Sequence, residues 1–209
     1  MLYPADVLRK NLDVVLVALL LLGVGIGFGA QPGPVEAIRS DAAQRDTTLY
    51  RNVPKTMFDI FVNNAMISAF STIGVFYSIY AAVFQIGIVY GAIFMINGPQ
   101  SFILVMITFG LLEFAASFFG VFAGLYILKR FGELVLNKLF GRRISEQDGL
   151  RSVITVFLTS LGLLLPAALI EACLLFAVYY SAVLLPFVVV GGAFTTGLLL
   201  YYVLVRRER

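Results

Sequence analysis

Apolar residues run along this chain in blocks too long for the core of a water-soluble domain, at approximately 12–30, 57–97, 102–129, 151–178 and 181–205. Crossing a hydrocarbon layer of ~30 Å takes about 20 apolar residues in a helix, so each block predicts at least one spanning segment. The 57–97 block predicts two. As one helix it would reach about 60 Å at 1.5 Å per residue, so it must fold back on itself. Tyr77, Ser78 and Tyr80 lie near its middle, and tyrosine favours the interfacial layer. Two full spans and a re-entrant hairpin both satisfy this pattern. Pro32, Gly33 and Pro34 stop the first helix, and Asn97-Gly98-Pro99 predicts a tight outer turn. The fold class is therefore all-α, a polytopic transmembrane helical bundle of about six membrane segments. It forms a single domain over 1–209, with a first helix 12–30, an outer loop 31–56, a central part 57–178 and a last helix 181–205.

Composition strengthens this reading. Of 209 residues 60% are hydrophobic and 13% charged, with a mean hydropathy of +0.96, whereas soluble domains are about a quarter charged. Little remains for a soluble catalytic domain. The net charge of +3 reports orientation, because short loops rich in Lys and Arg stay cytoplasmic; no nucleic-acid partner is expected. The richest segment carries Lys129, Arg130, Lys138, Arg142, Arg143 and Arg151, and the tails carry Arg9, Lys10, Arg206, Arg207 and Arg209. Six crossings place all three on one side and both termini in the cytoplasm. The outer loop's Arg39, Arg45, Arg51 and Lys55 are partly balanced by Glu36, Asp41 and Asp46. Residues 131–140 read either as a short helix on the membrane surface or as an extension of the preceding span. Arg9 and Lys10 before Val14–Phe28 resemble a signal peptide, but the run is long enough to span and Phe28 stands where cleavage before Ala30 needs a small residue. The chain reads as a multi-pass cell-membrane protein, anchored by its first helix, whose first partner is the lipid bilayer. Cys173 lies in an apolar run and reads as a small buried hydrophobe.

Chemistry is sought in the polar residues that interrupt the apolar blocks. In GLLEFAASFFGVFAGL, spacings of three and four put Gly110, Glu113, Ser117, Gly120 and Gly124 on one helix face. Phe114, Phe118, Phe122 and Leu125 face lipid or bulky neighbours. Gly120 and Gly124 form a GxxxG pair that admits another backbone, with Ser117 available to hydrogen bond across. A later block carries Glu171 after Pro166, which removes a backbone donor and bends the helix. Counted from the outer ends at 1.5 Å per residue, Glu171 lies roughly 11 Å deep, Asn63 and Asn64 about 10 Å, and Glu113 and Gln85 about 17 to 18 Å. No arginine or lysine shares these depths. A charged carboxylate there costs at least a few kcal/mol, so the glutamates either hold a proton against Asn63, Asn64 or Gln85, or meet a water-filled cavity.

FVNNA at 61–65, GLLEFAASFFGVFAGL at 110–125 and ALIEA at 168–172 together resemble the stage II sporulation protein M family, over about 57–178. The resemblance rests on Gly110, Glu113, Ala115, Ala116, Gly120, Gly124 and Glu171. Family members often carry histidine where Phe109 stands, proline where Ala115 stands, and Asn-Gly near Gln85-Ile86. The resemblance implies a polytopic membrane protein in which both glutamates matter. Its sporulation member works with peptidoglycan hydrolases at the engulfing membrane, and similar proteins occur in non-sporulating bacteria and in archaea.

Two functions remain in view. One is a noncatalytic membrane scaffold or complex subunit in membrane remodelling or cell-envelope work, with a homodimer favoured and other membrane or envelope proteins as further partners. The other is a small transporter, channel or permease subunit that uses Glu113 and Glu171 for proton or ion coupling. Enzymatic activity is not expected: the chain has no histidine, no cysteine cluster, no GxSxG and no lysine within a span to activate a serine. No catalytic residue, metal ligand or cofactor site is therefore assigned.

Overall fold

The computed structural model describes residues 3–140 and 147–205. Pro4 opens a short helix, α1 (Pro4–Lys10), and Asn11 closes it by donating its amide to the Val7 carbonyl at 2.9 Å. The first apolar block forms α2 (Leu12–Gly29). The expected outer loop 31–56 is mostly helical instead, with α3 (Pro32–Gln44) and a 3-10 turn (Thr47–Arg51). Proline ends one helix but its fixed φ also suits the first position of the next, and Pro32 does both here. Asp46 caps the 3-10 turn by accepting from the Thr48 hydroxyl at 2.7 Å and its amide at 2.9 Å. Those bonds hold its carboxyl below the ordinary value. Asn52 likewise caps α4 (Val53–Ile73), accepting from the Lys55 amide at 3.2 Å.

Beyond Gly74 come α5 (Val75–Tyr80), a π-helical segment (Ala81–Gly87), α6 (Ile88–Val105) and a second π-helical segment (Met106–Gly110). Then follow α7 (Leu111–Phe140), α8 (Gln147–Tyr180), a 3-10 turn (Ala182–Leu184) and α9 (Leu185–Leu204). No strand occurs among the described residues.

The chain reverses twice within these elements. At Gly74 the backbone leaves the helical region, with φ −95° and ψ 97°. Before it, α4 runs with α7: Asn64 bonds Glu113, and Ser68 lies on Gly120. After it the direction is opposite, for Ser78 lies on Gly124 whereas Tyr90 reaches Gly110. The fold-back expected in 57–97 therefore occurs just ahead of Tyr77, Ser78 and Tyr80. The second reversal is at Gly98, whose φ of 73° and ψ of 170° only glycine adopts readily. Across it the Phe94 and Phe102 rings meet edge to face at 5.2 Å, and the Tyr90 hydroxyl donates to the Gly110 carbonyl at 3.1 Å. Asn97-Gly98-Pro99 is thus a hairpin, as its residues suggest.

Among the described residues four helical stretches are long and apolar enough to cross a membrane: Leu12–Gly29, Phe76–Phe140, Gly149–Tyr180 and Ala182–Leu204. About six were expected. The difference lies in α4, made more polar by Asp59, Asn63 and Asn64, and in Phe76–Phe140, a continuous 65-residue stretch by composition that doubles back at Gly98.

Helix α7 forms the centre, packed on α2, α4, α5 and α8. Leu112, Phe119, Phe122 and Tyr126 are among the largest fully buried side chains. The bulky side of α7 faces protein and not lipid, since Phe122 and Leu125 are buried and Phe114 and Phe118 pack against the core. Beyond Lys129 the helix continues unbroken to Phe140, which favours the extension reading. Helix α8 also runs through Pro166 as one element.

Apolar burial gives helices little reason to associate in lipid, whose tails are as apolar as leucine, so close van der Waals packing must supply much of the cohesion. A glycine seam does this between α2 and the 81–91 stretch. A Cβ at Gly25 would meet the Val83 backbone and the Gly87 Cα, one at Gly29 the Ile88 backbone, and one at Gly91 the backbone of Ile26 and Gly29. At one end of the bundle Lys129 pairs with Asp13 at 2.8 Å, and α1 packs on α8 and α9. At the other, Tyr180 donates to the Thr47 carbonyl at 2.8 Å and α3 packs on α6. Arg9, Lys10 and Lys129 therefore gather at one end; Arg142, Arg143, Arg206, Arg207 and Arg209 lie outside the described residues.

Candidate functional site: a junction of glutamates

Three helices bring their polar residues together where α4, α7 and α8 meet. Glu113 sits in the first turn of α7, directly after the second π-helical segment. Asn64 of α4 donates its Nδ2 to Glu113 Oε1 at 2.7 Å. Glu171 of α8 brings its carboxyl within hydrogen-bonding reach of the Glu113 carboxyl. Both glutamates are half-buried. Two carboxyl groups can hydrogen bond to each other only through a proton held by one of them, so the contact couples their protonation.

Of the five polar residues expected in this cluster, Glu113, Glu171 and Asn64 meet. Asn63 is exposed and acts on the group indirectly, donating to Asn64 Oδ1 at 3.3 Å. That bond turns the Asn64 amide so that its own donor faces Glu113. Gln85 is elsewhere, accepting from the Tyr77 hydroxyl at 2.8 Å on its own stretch of helix. The geometry therefore separates the two neighbouring asparagines. Asn64→Leu should lower the thermal midpoint in detergent by the equivalent of about 1 kcal/mol, the cost of taking one hydrogen bond from a half-buried carboxyl. Asn63→Leu should shift it far less; equal effects would contradict this arrangement.

The small residues around the junction admit its partners. Gly120 and Gly124 let Ser68, Ser71 and Ser78 approach α7, so this GxxxG pair is used inside the chain by α4 and α5. Gly110 is buried against the Met106 sulfur and offers its carbonyl to Tyr90. The cross-helix hydrogen bond expected of Ser117 is made instead by Ser160 of α8, which donates to the Ala116 carbonyl at 2.8 Å and meets Ser68 Oγ at 2.7 Å. Pro166 is half-buried on α8 between Ser160 and Glu171.

Sequence reasoning missed Tyr90, Ser68, Ser160, Thr108 and Thr196. Tyr90 packs edge-on against Phe114 at 5.3 Å and lies near both glutamates. Thr196 of α9 donates to the Thr108 carbonyl at 2.7 Å, bonding the last helix to the second π-helical segment. The signal for them was weak: single hydroxyls in apolar runs, of which the serines and threonines can satisfy themselves within their own helix and Tyr90 reads as an ordinary aromatic.

A protein-family model described as Stage II sporulation protein M matches residues 14–174. No curated protein and no solved structure matches the chain.

Proposed function

The chain belongs to the stage II sporulation protein M family, and from that premise we propose that it is a noncatalytic membrane scaffold or complex subunit serving membrane remodelling or cell-envelope processes. The observation that carries this reading is the Asn64–Glu113–Glu171 junction, which ties α4, α7 and α8 through polar groups in an apolar setting. Polar groups at such depth act as interhelical glue when they satisfy one another. We place the protein in the cell membrane with six crossings and both termini cytoplasmic. Helical arm lengths support this count: α4 has 21 residues, and the arm from Val75 to the Gly98 turn is long enough to span. A homodimer, and assembly with other membrane or envelope proteins, complete the proposal.

One observation favours the second reading, a small transporter or channel subunit. Two carboxyls within hydrogen-bonding reach of each other in an apolar setting could also pass a proton on. The double variant Glu113→Gln/Glu171→Gln separates the two, because glutamine keeps hydrogen-bonding capacity and loses ionisation. Scaffolding predicts a variant that assembles like the wild type in detergent, with proton and ion flux in liposomes at the protein-free level for both. Flux in the wild type that disappears in an intact variant would replace the scaffold with the transporter.

A further inference from the structure

Away from the glutamates, an open groove of about 700 Å³ lies at the end of the bundle where α4 begins and α8 finishes. The groove is wide and shallow, open to the surface along most of its extent, so it suits part of a larger molecule and not an enclosed small ligand. Its lining includes apolar Leu49, Val53, Pro54 and Phe176 together with Arg51 and Lys55, and no acidic residue lines the groove. Of the nearby carboxylates, Asp46 is held by Thr48 and Asp41 pairs with Arg45 at 2.9 Å, while Asp59, exposed one turn further along the same face of α4 as Lys55, is outside the lining and forms no ion pair with that lysine. Among the described residues neither Arg51 nor Lys55 has an ion-pair partner. Arg51 is positioned by the Tyr180 ring, whose centroid lies 5.6 Å from the guanidinium carbon. The positive end of the α4 dipole adds to the same field.

The height of the groove follows from its neighbours. Tyr50 stacks on Tyr179 at 5.4 Å, and Tyr180 anchors Thr47. Clustered tyrosines at helix ends mark the membrane–water boundary, which is also where lipid phosphates lie. We infer that this groove holds the headgroup of an anionic phospholipid, with Arg51 and Lys55 on its phosphate and Phe176 against the first methylenes of an acyl chain. Guanidinium and ammonium bind phosphate oxygens by charge-assisted hydrogen bonds, and the mixed wall suits a molecule that is charged at one end and apolar at the other.

Full-length protein in mild detergent, given equal phosphatidylglycerol and phosphatidylcholine and weighed intact by mass spectrometry, tests the assignment. Wild type should retain phosphatidylglycerol roughly thirtyfold over phosphatidylcholine, since the two surface cations contribute about 1 kcal/mol each toward an anionic lipid. Arg51→Gln/Lys55→Gln should lose that preference. Arg39→Gln, which removes a cation paired with Glu36 on α3, should keep it. If the double variant does not fold, Lys55→Gln alone, exposed at the start of α4, should lower the preference by roughly threefold to fivefold. Equal retention by wild type and the groove variants, an equal loss in Arg39→Gln, or displacement of the lipid by millimolar inorganic phosphate would overturn the inference.

Discussion

Gly29→Leu is expected to leave little folded, monodisperse protein. A side chain at this position has nowhere to go: its Cβ alone would overlap the backbone of Ile88, and backbone cannot rotate aside as a side chain can. Relief requires α2 and α6 to separate, which also breaks the contacts of Gly25 with Gly87 and of Gly91 with Ile26. Overpacking a well-fitted core typically costs ~1–3 kcal/mol, and a clash relieved only by parting two helices should reach or exceed the top of that range. Gly27→Leu supplies the internal control. Gly27 lies two residues away on the same helix, is exposed, and would have no atom within 4 Å of an added Cβ. Both variants add the same apolar bulk and remove the same glycine, so their difference isolates the seam. Fluorescence-detected size exclusion followed by a thermal ramp should show Gly27→Leu eluting like wild type and Gly29→Leu shifted to aggregate. Matching profiles would mean the helices do not approach this closely.

The second large effect is expected from Glu113→Leu. Leucine removes the acceptor for Asn64 and the hydrogen-bonding partner of Glu171 in one step. Each orphaned group is half-buried and so costs about 1 kcal/mol, the low end of the range for full burial, and the single variant should lose roughly 2 kcal/mol of stability in detergent. Removing both sides of a polar contact is far less harmful than removing one. Glu113→Leu/Glu171→Leu should therefore recover part of the loss, and a double-mutant cycle on thermal midpoints should give a coupling of about 1 kcal/mol or more. Strict additivity of the two single variants would show that the glutamates do not interact.

How far these features could be read from the sequence depended on what fixes each of them. The apolar blocks were legible because bilayer thickness dictates their length. The turn at Gly98 was legible because Asn-Gly-Pro admits few other conformations. Helix α3 was hidden behind Pro32-Gly33-Pro34, which reads as a stop but also starts a helix. Glu113, Glu171 and Asn64 stood out as polar residues in apolar runs. Which of their neighbours would join them did not, because the facing of Asn63 and Gln85 depends on helix rotation and on where the chain reverses at Gly74. The seam was the hardest case. Helix α2 carries Gly23, Gly25, Gly27 and Gly29, and only Gly25 and Gly29 are buried against another helix. Nothing in the spacing alone selects that pair.

The order in which the seam's halves are synthesised carries a consequence for biogenesis. Gly25 and Gly29 leave the ribosome long before Gly87 and Gly91 exist, with all of α3 and α4 made in between. The first helix is therefore made well before the stretch whose backbone it meets, and must wait for it. A nascent chain arrested before residue 80 should leave α2 open to crosslinking through Leu22→Cys, whereas release beyond residue 91 should bury that position.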